Sequence, residues 1–129
     1  MSFLITFKRS GNDASSLILA VVFVSAGALH FLRPRVFDAI VPPSLPIPAQ
    51  TATLISGAAE IAGGLGLLLP ATRPAARWGL LALLLAVFPA NVYMAQHAEK
   101  FKPLPEWALW ARLPLQWVLG YAVWRAGRR

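Results

Sequence analysis

The chain has 129 residues, of which 57% are apolar and only 13% are charged; it contains no cysteine and has a formal net charge of +7. Soluble domains carry about 25% charged residues, so this composition disfavours a water-soluble fold and allows about four membrane helices of roughly 20 residues each. The lack of cysteine excludes disulfides, thiolate metal sites and thiol exchange by the chain itself. The basic residues are scattered between apolar runs, so we interpret them as topology signals and anionic lipid contacts and not as a nucleic acid binding surface.

The first predicted helix covers about residues 14–32 and ends before Pro34, which disfavours helical geometry at the residue before it. Lys8 and Arg9 precede this apolar run, as basic residues do in secretory signals. No small-residue cleavage site clearly separates the run from the following charged segment. We therefore expect the N-terminal segment to be retained.

Residues 33–50 are predicted to connect the first two helices without a regular helix across the second half. Five prolines interrupt this segment: Pro34, Pro42, Pro43, Pro46 and Pro48. Its apolar residues Val36, Phe37 and Ile40 are unusual for a surface linker, which would be more polar. We expect a short amphipathic turn and then an extended proline-rich loop that packs on the rim of the bundle.

Three further helices are predicted, at about residues 51–69, 75–94 and 105–125. The first of these ends at Pro70, and the last begins at Pro105, a residue favoured in the first helical turn. The predicted fold class is therefore all-α, a four-helix transmembrane bundle that forms one integral membrane domain over residues 1–129.

The distribution of basic residues predicts the orientation of this bundle. Four spans place seven basic residues on one side and four on the other. The seven are Lys8, Arg9, Arg73, Arg77, Arg125, Arg128 and Arg129, and the four are Arg33, Arg35, Lys100 and Lys102. Because basic loops remain in the cytoplasm, we expect both termini to be cytoplasmic and the proline-rich loop to lie outside.

Glu60 is the one charged residue in the apolar stretch 54–69, LISGAAEIAGGLGLLL. It lies nine residues after Thr51, or roughly 13 Å along the helix, close to the midplane of a hydrocarbon core about 30 Å thick. A lone ionisable group at that depth is costly unless it meets a partner, so it marks a candidate site.

Each of the other predicted helices also brings polar side chains to the outer half of the membrane. They are His30 on the first helix, Asn91 and Tyr93 on the third, and Arg112 and Gln116 on the fourth. Glu60 is either a structural carboxylate satisfied by Arg112 or Asn91, a protonated neutral acid, or a group that binds a ligand or handles a proton. Arg112 either joins this site or extends outward to lipid phosphates. His30 suits an interfacial role as well as a site, and Gln116 suits helix–helix hydrogen bonding.

The glycines of this stretch favour close helix packing over ligand binding. Gly63 and Gly66 follow small residues at the spacing that lets membrane helices approach, and residues 25–28 form a second small patch. Two histidines without cysteine or paired acids predict no transition-metal site. A bis-histidine haem is also disfavoured, because His97 falls in the predicted outer loop.

Three strings, GALHFLRPRVFDAIVPPSLP, ISGAAEIAGGLGLLLP and GLLALLLAVFPANVYMA, resemble in order and spacing the DoxX-like family of small four-helix membrane proteins. The resemblance extends from about Ala26 to Trp124. It implies four transmembrane helices in the bacterial inner membrane, with the family's acidic residue at Glu60, its first-helix histidine at His30 and its asparagine after proline at Asn91. Some relatives look like membrane subunits of quinone-linked sulfur oxidation or of thiol-redox complexes, and distant animal relatives act as receptor assembly factors. This chain departs from any relative that performs thiol chemistry itself, since it lacks cysteine.

These observations predict an outward-opening pocket centred on Glu60 that binds a lipophilic small molecule, with a quinone as the candidate cofactor, in a redox-associated membrane complex. The predicted ligand-binding residues are Glu60, Asn91, Arg112, His30, Tyr93, Gln116 and Trp117. In that role Arg112 or Asn91 would donate to a quinone oxygen while Glu60 handles the proton. No catalytic residue and no metal ligand is assigned.

The alternative function is a non-enzymatic assembly or chaperone-like protein whose polar cluster pairs with a client helix. A small transporter would require an oligomer, because four spans show no repeat. The expected partners are the lipid bilayer, a lipophilic small molecule, and a membrane-protein partner or second copies of the chain, with no nucleic acid.

Overall fold

A computed structural model describes residues 11–126 of the chain, with side chains from residue 14 onward. Within this range the chain forms five α-helices and one 3₁₀ helix and contains no strand, which confirms the all-α class. The helices are α1 Gly11–Leu32, α2 Pro34–Asp38, α3 Ala49–Gly66, α4 Arg73–Gln96, the 3₁₀ helix Ala98–Phe101, and α5 Glu106–Ala126. Lys8, Arg9, Arg128 and Arg129, on which the predicted orientation depends, lie outside the described residues.

The four long helices pack side by side in chain order. α1 makes its most extensive contact with α3, α3 packs on α4, and α4 packs on α5, while α5 returns to a smaller contact with α1. Short connections between successive long helices make neighbours antiparallel, as in an up-and-down bundle.

The buried apolar side chains form two clusters, one toward each end of the bundle. The larger cluster contains Leu19, Phe23, Leu67, Leu80, Val123 and Ala126, and the smaller contains Met94, Ala95 and Leu109. The larger cluster draws on α1, α4 and α5 and on Leu67, which directly follows α3. It therefore fixes their mutual positions at the end where α4 begins and α5 ends.

Glycines set the spacing of α3 from both of its neighbours. A Cβ added at Gly27 of α1 would lie 2.6 Å from the carbonyl oxygen of Gly57 in α3, and one added at Gly64 would lie 3.1 Å from the carbonyl oxygen of Ala20. On another face of α3, a Cβ at Gly66 would lie 2.9 Å from the Cβ of Ala76 in α4. These distances leave no room for side chains, in agreement with the packing interpretation of the glycines.

Two helical segments, Ala14–Leu32 and Arg73–Gln96, are long and apolar enough to cross a membrane by length and composition alone. Only 33% and 17% of the residues in their apolar windows are buried within the bundle. The sequence of α3 contains Glu60 and four glycines, and the sequence of α5 contains Arg112 and Gln116. These residues lower the mean hydropathy of both helices. The four-span membrane bundle therefore stays a prediction.

The helix boundaries differ from the predicted ones by at most three residues. The three-residue errors lie at the N-terminus of α1, which begins at Gly11 and not at residue 14, and at the C-terminus of α3, which ends at Gly66 and not at residue 69. Pro70 has no N–H to donate to the Gly66 carbonyl; Thr72 Oγ1 donates to it instead at 2.7 Å, and Arg73 Nε donates to the Leu67 carbonyl at 2.7 Å. Carbonyls held in this way need no further helical turn. α4 accordingly begins at Arg73, earlier than the predicted residue 75.

The proline-rich connection folds back onto the bundle. Its first part forms α2, from which Phe37 stacks on His30 with the ring centroids 3.8 Å apart. Asp38, at the end of α2, accepts a hydrogen bond from the buried Thr53 of α3. The expected packing of this segment on the rim is confirmed for residues 34–40, since Ile40 also packs against the smaller apolar cluster.

Candidate functional site

Glu60 pairs with His30, its neighbour across the closest contact between α1 and α3. The Nδ1 atom of His30 lies 3.2 Å from Oε2 of Glu60. The two side chains are 10% and 18% exposed, respectively. The pair is positioned by Gly57, at which an added Cβ would lie 2.7 Å from the Cβ of His30. The small residues of the helix contact thus bring an imidazole and a carboxylate together.

The hydrogen bonds of this pair leave the carboxylate incompletely satisfied. His30 Nδ1 also lies 2.8 Å from the carbonyl oxygen of Ala26, one turn earlier in α1. A ring nitrogen carries only one proton, and the bond to Ala26 uses it. Glu60 Oε2, which is buried, therefore has no hydrogen-bond partner among the described residues. Such a group is costly unless another donor reaches it.

A second polar cluster joins α4 and α5. Asn91 Nδ2 donates to Oε1 of Gln116, and Gln116 Nε2 donates to the carbonyl oxygen of Leu84 at 2.5 Å. Leu84 lies next to Leu85, whose carbonyl receives no helical hydrogen bond because Pro89 has no N–H. Gln116 therefore bridges the two helices, the structural role that membrane packing favours for a glutamine.

The remaining predicted site residues lie around this second cluster or outside it. Arg112 NH1 contacts the sulfur of the buried Met94 at 2.9 Å. Tyr93 packs on His97, with the ring centroids 4.3 Å apart, and its hydroxyl oxygen accepts a hydrogen bond from Lys100. The ring of Trp117 is mostly exposed and lies 5.6 Å from that of Phe88.

The structure corrects the predicted pairing of Glu60. Neither Arg112 nor Asn91 is its partner; His30 is, and Asn91 is paired with Gln116. The polar side chain of α1 pairs with that of α3, and the polar side chain of α4 pairs with that of α5, so the helices form two separate polar pairs. Donation to a ligand oxygen by Arg112 or Asn91 therefore has no support from these contacts.

An open groove of about 530 Å³ lies between the end of α4 and the start of α5, away from the predicted pocket around Glu60. Its lining includes Glu99, Lys102 and Glu106. Over the described part of the chain, no three histidine or acidic side chains lie close enough to hold a metal ion. A ligand at Glu60 would accordingly lie against the bundle surface.

Two contacts were not predicted from the sequence. One involves Asp38, which was placed in the connecting segment, and the other involves Arg77, which was used only to predict the orientation in the membrane. The Asp38–Thr53 hydrogen bond joins α2 to α3, and the guanidinium of Arg77 lies between the rings of Trp78 and Trp124. The spacing Arg-Trp at the start of a helix is a weak signal for the second contact. No local signal predicts the first.

We expect the Gln116→Leu substitution to lower the free energy of unfolding by about 1–2 kcal/mol, because it leaves the Asn91 amide and the Leu84 carbonyl without their partner. Circular dichroism monitors the unfolding of each variant in mild detergent. The double variant with Asn91→Leu is the control, since the two residues share one hydrogen bond. Its destabilisation should be smaller than the sum of the single effects; strict additivity would show that the bridge does not stabilise the bundle.

A family model described as "Domain of unknown function (DUF8561)" matches residues 19–127 of the chain. No curated protein and no solved structure matches this chain. The matched region contains both polar pairs and all four long helices from Leu19 onward. The resemblance to DoxX-like proteins stays a prediction.

Proposed function

We propose that this chain, which belongs to the DUF8561 family over residues 19–127, is a membrane protein that binds a lipophilic small molecule beside the His30–Glu60 pair. The observation that carries the proposal is the incompletely satisfied carboxylate at the closest contact of α1 and α3. A ligand that donates a hydrogen bond to the accessible part of this carboxylate would give it a further partner.

The outer surface of the bundle supports the membrane placement. Large apolar side chains are exposed on every long helix, among them Leu17 of α1, Ile55 of α3, Leu85 of α4 and Val118 of α5. Soluble monomers seldom expose apolar patches larger than a few hundred Å². In this placement all four long helices cross the bacterial inner membrane. The count of basic residues along the sequence then favours cytoplasmic termini.

The chemistry of the pair limits the kind of ligand. With its Nδ1 proton engaged by Ala26, a neutral His30 offers Nε2 as an acceptor, and Nε2 bonds to no described residue. Glu60 Oε1 likewise makes no hydrogen bond to a described residue, and part of this side chain is accessible. The pair thus offers two acceptors, which favours a ligand that donates through hydroxyl groups. The quinol form of a quinone has this chemistry together with the apolar body that a bilayer requires.

In this proposal the His30–Glu60 pair receives the hydroxyl protons of the bound quinol. An electron-accepting partner in a redox-associated membrane complex would oxidise the quinol, since the chain has no cysteine to accept electrons. The stacking of Phe37 on His30 would hold the imidazole plane in place during this exchange.

We expect the wild-type protein purified in mild detergent to retain a stoichiometric lipophilic hydroxyl compound, and the Glu60→Gln variant to lose about nine-tenths of it, because an amide replaces the charged acceptor. Glu99→Gln is the matched control, since it makes the same chemical change at an exposed position of the 3₁₀ helix. Extraction and mass spectrometry of the retained compound give the occupancy.

Equal retention by the two variants would contradict the site. An empty wild-type protein that instead co-purifies with a membrane partner would favour the assembly function over ligand binding.

A further inference from the structure

The end of the bundle at which α4 begins and α5 ends, called the basic end below, is strongly cationic. Arg73 and Arg77 lie in the first turns of α4, and Arg125 lies in the last turn of α5. The carboxylates whose side chains the structure describes lie elsewhere, in α2, in the middle of α3, in the 3₁₀ helix and at the start of α5: Asp38, Glu60, Glu99 and Glu106. Arg77 and Arg125 therefore have no described acidic side chain beside them.

Arg77 is held between two indole rings at this end. Its guanidinium carbon lies 4.8 Å from the ring centroid of Trp78 and 4.7 Å from that of Trp124. A cation over the faces of two aromatic rings is attracted by both. The contact joins α4 to α5 and fixes the orientation of a side chain that would otherwise be free to rotate.

The hydrogen-bonding capacity of Arg77 is unused by the described residues. Its Nε atom is buried without a hydrogen-bond partner among them, and neither terminal nitrogen bonds to any of them. Contact of the guanidinium carbon with two ring faces leaves the two terminal nitrogens able to donate. These two nitrogens can bind two phosphate oxygens at once.

The other cations of the basic end do not share this arrangement. Arg73 is 4% exposed and donates to the carbonyls of Leu67 and Leu68. Arg125 is exposed, and the structure records no aromatic ring against it within residues 14–126. Arg77 is thus the cation that is both held in place and equipped with unused donors.

The aromatic surroundings point to a lipid as the source of the phosphate. Trp78 is 61% exposed, and Tyr121, also exposed, stacks on Trp124 with the centroids 6.4 Å apart. Tryptophan and tyrosine side chains concentrate at the headgroup level of membranes, where one part of the ring is apolar and the other is wet. A free anion in water would not require this exposed apolar rim.

We propose that Arg77, held between Trp78 and Trp124, binds the phosphate of an anionic phospholipid headgroup at the basic end. The proposal rests on the membrane placement and is independent of the ligand at the His30–Glu60 pair. The net positive charge of this end selects an anionic lipid over a zwitterionic one.

The test is native mass spectrometry of the protein in mild detergent, titrated with phosphatidylglycerol and, separately, with phosphatidylcholine. We expect preferential binding of phosphatidylglycerol, which Arg77→Gln weakens about tenfold. Arg125→Gln is the matched control, because it removes one positive charge from the same end, and it should weaken binding less than about twofold. Arg77→Lys keeps the charge but lacks the planar fork, so its loss should lie between these two.

Equal weakening by Arg77→Gln and Arg125→Gln would overturn the proposal in favour of a diffuse positive field. Full competition by inorganic phosphate at the lipid's own concentration would overturn the assignment to a lipid headgroup. Thermal unfolding of each variant shows whether it is folded, and if Arg77→Gln is not, the Arg77→Lys titration decides. Glu60→Gln should leave phosphatidylglycerol binding unchanged, which separates failure of this proposal from failure of the proposed function.

Discussion

Replacing Gly27 by alanine is expected to destabilise the protein by about 2–3 kcal/mol and to lower its melting temperature in detergent by about 5–10 °C. The new Cβ would lie 2.6 Å from the Gly57 carbonyl oxygen and 2.7 Å from a side-chain carbon of Ile61. A backbone oxygen cannot rotate away as a side chain can, so α1 must move away from α3. Circular dichroism during heating measures the change.

Gly79 provides the control for this prediction. It lies in α4 with nothing within 4 Å of an added Cβ. Gly79→Ala should therefore leave the packing intact and raise stability by about 0.5–1 kcal/mol, since alanine loses less backbone entropy in a helix. A Gly27→Ala protein as stable as the wild type, or equal shifts in both variants, would show that the α1–α3 contact is looser than the structure indicates.

The Gly27 substitution also has a consequence for the site. His30 and Glu60 lie 3.2 Å apart because α1 and α3 approach closely at Gly27 and Gly57. A wider helix separation should break this contact and release the compound that we propose binds there, even though both side chains are present. Loss of ligand in Gly27→Ala but not in Gly79→Ala would link the glycine contact to binding.

We expect Arg73→Met to destabilise the protein by about 2–4 kcal/mol, the second large effect. Arg73 is buried and donates from Nε to the Leu67 carbonyl at 2.7 Å and from NH2 to the Leu68 carbonyl at 3.4 Å. These carbonyls form the negative end of the α3 dipole, which a cation stabilises. Methionine fills a similar volume but leaves both carbonyls without this donor.

Arg125→Met serves as the comparison, because Arg125 is exposed in the last turn of α5. Its effect should stay within about 0.5 kcal/mol. Chemical unfolding in mild detergent, followed by tryptophan fluorescence, gives both values. If the two arginine variants are equally stable, then Arg73 does not hold the C-terminus of α3.

Much of the helical architecture could be predicted from local sequence features. Apolar runs separated by prolines located the four long helices to within one to three residues. The error at the C-terminus of α3 has a clear cause, since Pro70 has no N–H to donate to the Gly66 carbonyl and the Thr72 and Arg73 side chains donate to the carbonyls of Gly66 and Leu67 in place of a further helical turn. A side chain six residues along the chain can replace a helical hydrogen bond, and no periodicity reports this.

The sequence identified residues of the candidate site but not which of them pair with each other. Glu60, His30, Asn91 and Gln116 each take part in an interhelical contact. The sequence gives the level of each side chain along its helix from the rise per residue. It does not give the rotation of one helix against another, and at equal depth a carboxylate can face either of two neighbouring helices.

The sequence by itself thus determined the helical class, the apolar surface and the presence of one carboxylate within an apolar stretch, because composition and helix periodicity are local properties. Only the tertiary structure decided that Glu60 meets His30 and that Arg77 lies between two tryptophans. Both contacts depend on how closely and at what rotation the helices pack. Gly27 and Gly57 allow that geometry for α1 and α3, because neither has a side chain that would hold the two backbones apart.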